Sequence, residues 1–201
     1  MENLTTTKCN LDRCPWKRLW MALLIVVMVG CGDADVSQLM VKLADEDAGE
    51  RYDAARELEN FGARAAPAVE ALAICLQDED SKVRYRASKA LAKIGGANRK
   101  IVDQLAAALA NDTDPQVRYY AAKSLDQVAD SASPAIDALT TGLSDENSKV
   151  RYYSAKTLGK IGAEAHVALT RIEKLINDQD ESVRKAAESA VRRIKKKQSQ
   201  S

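Results

Sequence analysis

The 201-residue sequence predicts an all-α protein, a right-handed α-solenoid of five two-helix units, on three observations. The first is a repeat. Arg51, Arg84, Arg118, Arg151 and Arg184 recur at spacings of 33, 34, 33 and 33 residues, each with an aspartate six positions earlier: Asp45, Asp78, Asp112, Asp145 and Asp178. Self-similarity at such a period marks stacked helical units that share one continuous core. The single 34-residue gap is explained by one extra residue after Leu109, either Ala110 or Asn111. The second observation is a pair of apolar stripes in every unit, and the third is helix punctuation at matching places. Strand signals, meaning alternating runs of β-branched and aromatic residues, do not appear outside the N-terminal segment.

That N-terminal segment is of a different kind. Lys8, Arg13, Lys17 and Arg18 precede eleven apolar residues, Leu19 to Val29. The run is shorter than the ~20 residues of a spanning helix, and a basic region before such a core is the pattern of a secretory signal. Met28-Val29-Gly30-Cys31 resembles a bacterial lipobox. The resemblance implies a lipoprotein signal peptide over 1–30, cleavage between Gly30 and Cys31, acyl chains on Cys31 and a short tether over 31–35. The chain would then be exported and lipid-anchored at the cell envelope, on the periplasmic side of the outer or inner membrane. An ordinary signal followed by an unrelated cysteine is the alternative, and the long stretch before the apolar core leaves open a start downstream of Met1.

Residues 36–195 hold the repeats, at about 36–66, 67–99, 100–133, 134–166 and 167–195, with a polar tail at 196–201. The first helix of each unit is a stripe spaced by three and four: Val36, Leu39 and Leu43, then Val69, Leu72 and Leu76, Val102, Leu105 and Leu109, Ile136, Leu139 and Leu143, and Leu169, Ile172 and Ile176. The second helix starts four residues before the arginine, at Asp47, Asp80, Asp114, Asn147 or Asp180, whose side chains accept free amide hydrogens. Pro115 adds proline at a first helical position. Its core stripe runs at offsets of minus one, plus three, plus seven and plus ten from the arginine, as Val83, Ala87, Leu91 and Ile94 do in the second unit. Gly62, Gly95 and Gly162 suit its end, and Pro67 and Pro134 favour the next start.

Written through the second unit, the pattern is Leu76-x-Asp78-x-Asp80-x-x-Val83-Arg84-x-x-Ala87-x-x-x-Leu91-x-x-Ile94-Gly95. It resembles the HEAT repeat, in particular the short PBS-lyase HEAT-like kind, and the resemblance covers residues 36 to about 195. It implies that the turn aspartates and second-helix arginines form a structural ladder, made by Asp45 with Arg51, Asp78 with Arg84, Asp112 with Arg118, Asp145 with Arg151 and Asp178 with Arg184. It also implies that the second helices line a concave surface. Family members include enzymes that attach bilin chromophores, which makes an accessory or enzyme of bilin-lyase-like type the alternative to a binding scaffold.

Composition narrows the function classes. The chain has 30 basic and 29 acidic residues; without residues 1–30, which hold four cations and two acids, 26 face 27. A near-neutral balance argues against nucleic acid, whose binding rests mainly on phosphate neutralisation. Beyond Cys31 the only cysteine is Cys75, beside an apolar stripe, and His166 is the one histidine. One of each does not build a usual zinc site, no catalytic motif appears, and neither a metal, a cofactor nor a catalytic residue is expected. What stands out is aromatic placement. All six tyrosines, Tyr52, Tyr85, Tyr119, Tyr120, Tyr152 and Tyr153, lie one or two positions after a repeat arginine. Lys89, Lys123 and Lys156 follow Tyr85, Tyr119 and Tyr152 by one helical turn, off the core stripe. Tyr85, Lys89, Tyr119, Tyr120, Lys123, Tyr152, Tyr153 and Lys156 are therefore the candidate surface for a protein or peptide partner, with the chain itself a monomer. Tyrosine rings packed between neighbouring helices with solvated lysines are the structural alternative.

Overall fold

A computed structural model describes residues 34–95 and 99–198, so the segment read as a signal peptide and Cys31 lie outside the described residues. Among the described residues every regular element is a helix. The first unit pairs α1 (Ala34–Lys42) with α2 (Ala48–Phe61), the second α3 (Val69–Ile74) with α4 (Ser81–Ile94), and the third α5 (Arg99–Asn111) with α6 (Pro115–Gln127). The fourth pairs α7 (Ile136–Gly142) with α8 (Ser148–Ile161), and the fifth α9 (Leu169–Lys174) with α10 (Glu181–Gln198).

The second helices begin where their caps direct. The side chains of Asp47, Asp80, Asp114, Asn147 and Asp180 accept amide hydrogens two or three residues on, from Glu50, Lys82, Gln116, Lys149 and Ser182, at 2.7 to 3.0 Å. Gly62, Gly95 and Gly162 close α2, α4 and α8 with φ of 55°, 71° and 84°, a region costly for side chains with a Cβ.

The first helices are less regular than their stripes predict. α3 and α9 span six residues each and α7 seven, preceded by 3₁₀ turns over 62–68, 163–168 and 133–135. Pro67 and Pro134 sit in two of these turns, where a missing N–H interrupts α-type bonding. The exit turn is also tight: the amides of Asp78, Asp145 and Asp178 bond to carbonyls three residues back. In the third unit the Asp112 amide bonds four back, to Ala108, and α5 stays α-helical to Asn111. The extra residue is absorbed there, because an α turn takes more residues than a 3₁₀ turn.

Packing follows the register. Leu58, Leu72, Leu105, Leu125, Leu139, Leu158, Ile172 and Ile194 are fully buried along one continuous core. Where second helices meet, small residues allow close approach: Ala55, Ser88, Ala122 and Ala155, four past the arginine, are buried, as are Ala90, Ser124, Thr157 and Ala190, six past it. The Ser124 hydroxyl donates to the Ser88 carbonyl, which shows that plus four of one unit faces plus six of the next. At the two ends of the stack these positions are the exposed Glu57 and Glu188. Charged outer faces of this kind keep terminal units soluble.

The ladder exists with a shifted pairing. Each guanidinium reaches forward to the aspartate of the following unit. Nε and Nη2 of Arg51 donate to Asp78 at 2.7 and 2.8 Å, those of Arg84 to Asp112 at 2.8 and 3.2 Å, those of Arg118 to Asp145 at 2.7 and 3.1 Å, and those of Arg151 to Asp178 at 2.8 and 2.8 Å. Within its own unit the arginine finds backbone only: Arg118 Nη1 donates to the Asp112 and Thr113 carbonyls. The expected Asp112–Arg118 side-chain pair is thus replaced by Arg84–Asp112 and Arg118–Asp145, since an arginine on the first turn of the second helix lies over the next turn rather than its own. Each turn aspartate also accepts the amide of its helix cap at 2.9 Å. Asp45 and Arg184 end the ladder: Arg184 keeps only the Asp178 and Gln179 carbonyls.

Candidate functional site

The second helices pack more extensively from unit to unit than the first helices do, in keeping with the inner, concave side of the stack on which the HEAT resemblance places α2, α4, α6, α8 and α10. Residues one, two, five, eight and nine past each arginine share the remaining face of these helices, and the tyrosines and lysines singled out by sequence lie there.

The structure brings the tyrosines together as a connected row. Tyr85 meets Tyr120 edge-on at 5.5 Å between centroids, Tyr120 lies 4.5 Å from Tyr119, Tyr119 lies 5.8 Å from Tyr153, and Tyr153 meets Tyr152 at 4.9 Å. All are half-buried, and Tyr85, Tyr119, Tyr152 and Tyr153 pack against the core. The rings therefore serve stability as well as presenting edges on the inner face. Burial, with the neighbouring Tyr85 and Tyr119 adding to it, pushes the Tyr120 hydroxyl up to about 12, and burial also raises that of Tyr153. Both are neutral hydrogen-bonding groups at any physiological pH.

The lysine row divides. Lys89 pairs with Glu59 at 3.3 Å and Lys156 with Asp126 at 2.8 Å, each carboxylate belonging to the preceding unit. Burial pulls the Lys156 ammonium down, but the bond to Asp126 outweighs it and the net shift is upward. Lys123 instead stands over the Tyr120 ring at 5.8 Å. The three lysines of the candidate surface therefore differ: Lys89 and Lys156 are tied down, and Lys123 has no carboxylate partner among the described residues.

Sequence reading missed the carboxylates that do this. Glu59 and Asp126 are buried, at 8% and 6% exposure, and each gathers two cations. Arg86 and Lys89 converge on Glu59, with Arg86 also donating to the Tyr52 hydroxyl at 2.5 Å, and Lys156 and Lys160 converge on Asp126. Both acids stand eight past the repeat arginine, and their partners lie 27 to 34 residues on, about one period away. Only comparison of one unit with the next, rather than along one helix, would have paired them.

The candidates for chemistry do not converge. Cys75 is buried in the first-helix layer with its Sγ 3.7 Å from the Leu43 carbonyl, and burial, with Asp78 adding to it, pushes its thiol up to about 12. His166 is exposed, its Nδ1 3.1 Å from the Ala163 carbonyl in its own turn. Among the described residues no group of acids, histidines and cysteines is placed to hold a metal ion. We expect Cys75 in the folded protein to react with a thiol-labelling disulfide reagent at least about 100-fold more slowly than in urea. Fast labelling of the native protein would reopen a nucleophilic role.

No curated protein sequence matches the chain. Solved structures do. A crystallised engineered protein is 25% identical, with 90% of each chain covered and a TM-score of 0.69. A designed armadillo repeat protein in complex with the peptide (KR)4 is 17% identical over 90% of this chain and 95% of that one, at 0.67. The complex of CpcE and CpcF of phycocyanin lyase from Nostoc sp. PCC7120 is 22% identical over 78% and 98%, at 0.54. The last two likenesses are of fold, and a shared fold carries no activity with it. The HEAT repeats family matches residues 36–101 and 102–192, which together with the five stacked helix pairs and their aspartate–arginine ladder makes this chain a member of the HEAT repeat family.

Proposed function

We propose that the protein is a scaffold that binds a protein or peptide partner on its inner face and is held at the bacterial cell envelope by acyl chains on Cys31. The observation that carries the partner reading is the tyrosine row with its cations. Five rings from three consecutive helices form one contiguous strip, with Lys123 over the Tyr120 ring and Lys93 exposed further along the helix that carries Tyr85. Tyrosine is among the residues enriched at protein interfaces, and lysines at its edge act through steering. The fold supports the reading, since stacked helical repeats offer an extended inner surface and little else. Glu57 and Glu188 would face each other in any end-to-end stack of two copies, which favours a monomer.

The partner test uses a soluble form that starts at residue 31 with Cys31→Ser, and so retains all the described structure. Lys93→Glu with Lys123→Glu changes two cations without carboxylate partners among the described residues and leaves the buried pairs alone. Capture of a partner from envelope extracts at low salt should fall about tenfold, and the residual binding should respond less to added salt, because such charges act mainly through steering. Capture that is indifferent to both substitutions would defeat the proposal. Attachment is tested separately: Cys31→Ala should move the full chain out of the membrane fraction, since two or three acyl chains hold it there where one would be marginal. Unchanged membrane recovery would rule out the lipid anchor.

A further inference from the structure

The inner face follows a covering rule that fails at one junction. At the first three junctions the tyrosine one past the repeat arginine is covered by the residue two past the arginine of the next unit. The Arg86 guanidinium lies 4.8 Å from the Tyr52 ring, Tyr120 covers Tyr85 at 5.5 Å and Tyr153 covers Tyr119 at 5.8 Å. At the fourth junction the tyrosine is Tyr152 and the covering position is Ala186, which brings neither ring nor cation across the junction; the cation over the Tyr152 ring, Lys156 at 5.7 Å, belongs to the tyrosine's own helix. Ser189, where Lys89, Lys123 and Lys156 stand in units two to four, is equally small.

A groove of about 680 Å³ opens there between α8 and α10, with Tyr152 in its wall and Ala186 and Ser189 on its opposite side. That volume lies within the ~300–1,000 Å³ of ligand clefts. Its base is closed by the approach of Gly159 to Ala190, which leaves no room for a side chain at Gly159. Cations dominate the lining. Lys156 and Lys160 are held by Asp126, while Lys149, Lys185 and Arg193 are exposed around the rim, against the single acid Asp180. Lys185 pairs with Glu181 only as an exposed pair within one helix, which a stronger partner displaces at little cost.

We propose that this groove binds an acidic peptide segment carrying one aromatic side chain, whose ring covers Tyr152 as Tyr120 and Tyr153 cover the preceding tyrosines and whose carboxylates pair with Lys149, Lys185 and Arg193. The proposal rests on the reading of the inner face as a partner surface and names the place on it and the chemistry of the partner. Aromatic pairing supplies a specific anchor beyond buried area, and the cationic rim selects the sign of the flanking residues.

The test is built into the register. Ala186→Tyr supplies from the protein itself the ring that the earlier junctions have, so the groove should fill while thermal stability holds or rises. The soluble form described above is titrated by fluorescence anisotropy against a short labelled peptide of aspartates and glutamates with one central tryptophan. We expect binding by the unsubstituted protein, weakened about tenfold or more by Ala186→Tyr, by alanine in place of the probe's tryptophan, and by Lys185→Glu with Arg193→Glu. Equal binding by the Ala186→Tyr protein, equal binding of the ring-free probe, or stronger binding of a lysine-arginine probe each overturns the proposal. Should Ala186→Tyr unfold the chain, the exposed Lys185→Glu, Arg193→Glu pair decides alone. Envelope capture separates this idea from the broader one: loss with Lys93→Glu and Lys123→Glu but not with Ala186→Tyr removes the groove and keeps the inner face, whereas no loss with either removes both.

Discussion

Replacing Arg118 with alanine is expected to lower folding stability by about 3 kcal/mol, and replacing Arg184 by about 1 kcal/mol. Arg118 donates to both oxygens of Asp145, to two backbone carbonyls of its own turn and to Glu146. Its side chain is 13% exposed and that of Asp145 8%, so truncation strands a carboxylate largely out of water and takes the donor from three further acceptors. Arg184 has no carboxylate ahead of it among the described residues and gives up two carbonyl bonds. Urea titration of both variants measures the difference, and equal midpoints would mean that the forward rung contributes nothing. Acid titration reads the same ladder. Burial raises the Asp78 carboxyl, but the bonds from Arg51 and the Asp80 amide win, and Asp178 is lowered chiefly by Arg151, so both titrate below the ordinary carboxylate value. Groups with depressed folded-state values contribute fully above about pH 4 and lose that contribution as pH falls through those values. The gap between the unsubstituted protein and an Arg151→Ala variant should therefore narrow in that acid range, and a constant gap down to the lowest pH would contradict the assignment.

Gly159→Leu should cost about 3 kcal/mol, against about 1 kcal/mol for Gly142→Ala. A Cβ at Gly159 would stand 2.7 Å from the Ala190 Cα and 2.9 Å from its Cβ. Backbone cannot rotate aside, so α8 and α10 must separate along the junction that forms the base of the groove. At Gly142 the close neighbour is the Ser154 hydroxyl, with Leu109 Cδ1 at 3.3 Å, and a hydroxyl can turn away. Thermal melts of the two variants test the order. A Gly159→Leu protein as stable as the parent would show that the fifth unit is not packed against the fourth as described.

What the sequence determined by itself was everything that repeats at short range or at the period of the units. Helix caps at Asp47, Asp80, Asp114, Asn147 and Asp180, the terminating glycines and the core stripes depend on neighbours within a few residues, and a five-fold repeat turns weak local preferences into one consistent reading. The presence of a ladder was legible too, because its arginines and aspartates are in register. Its direction was not, since an arginine six residues from one aspartate and 27 from the next is closer in sequence to the wrong one. The same holds for the inner face. Placing the tyrosines on one side of the second helices needed only helical geometry, whereas the burial of Glu59 and Asp126, the division of the lysines into tied and untied, and the lack of a ring or cation from the next unit over Tyr152 arose when helices about 30 residues apart met. Only the tertiary structure decided these points, because contacts between units depend on how far each helix advances past the next, and that advance is set by packing of Ala, Ser and Gly at the junctions rather than by any local preference.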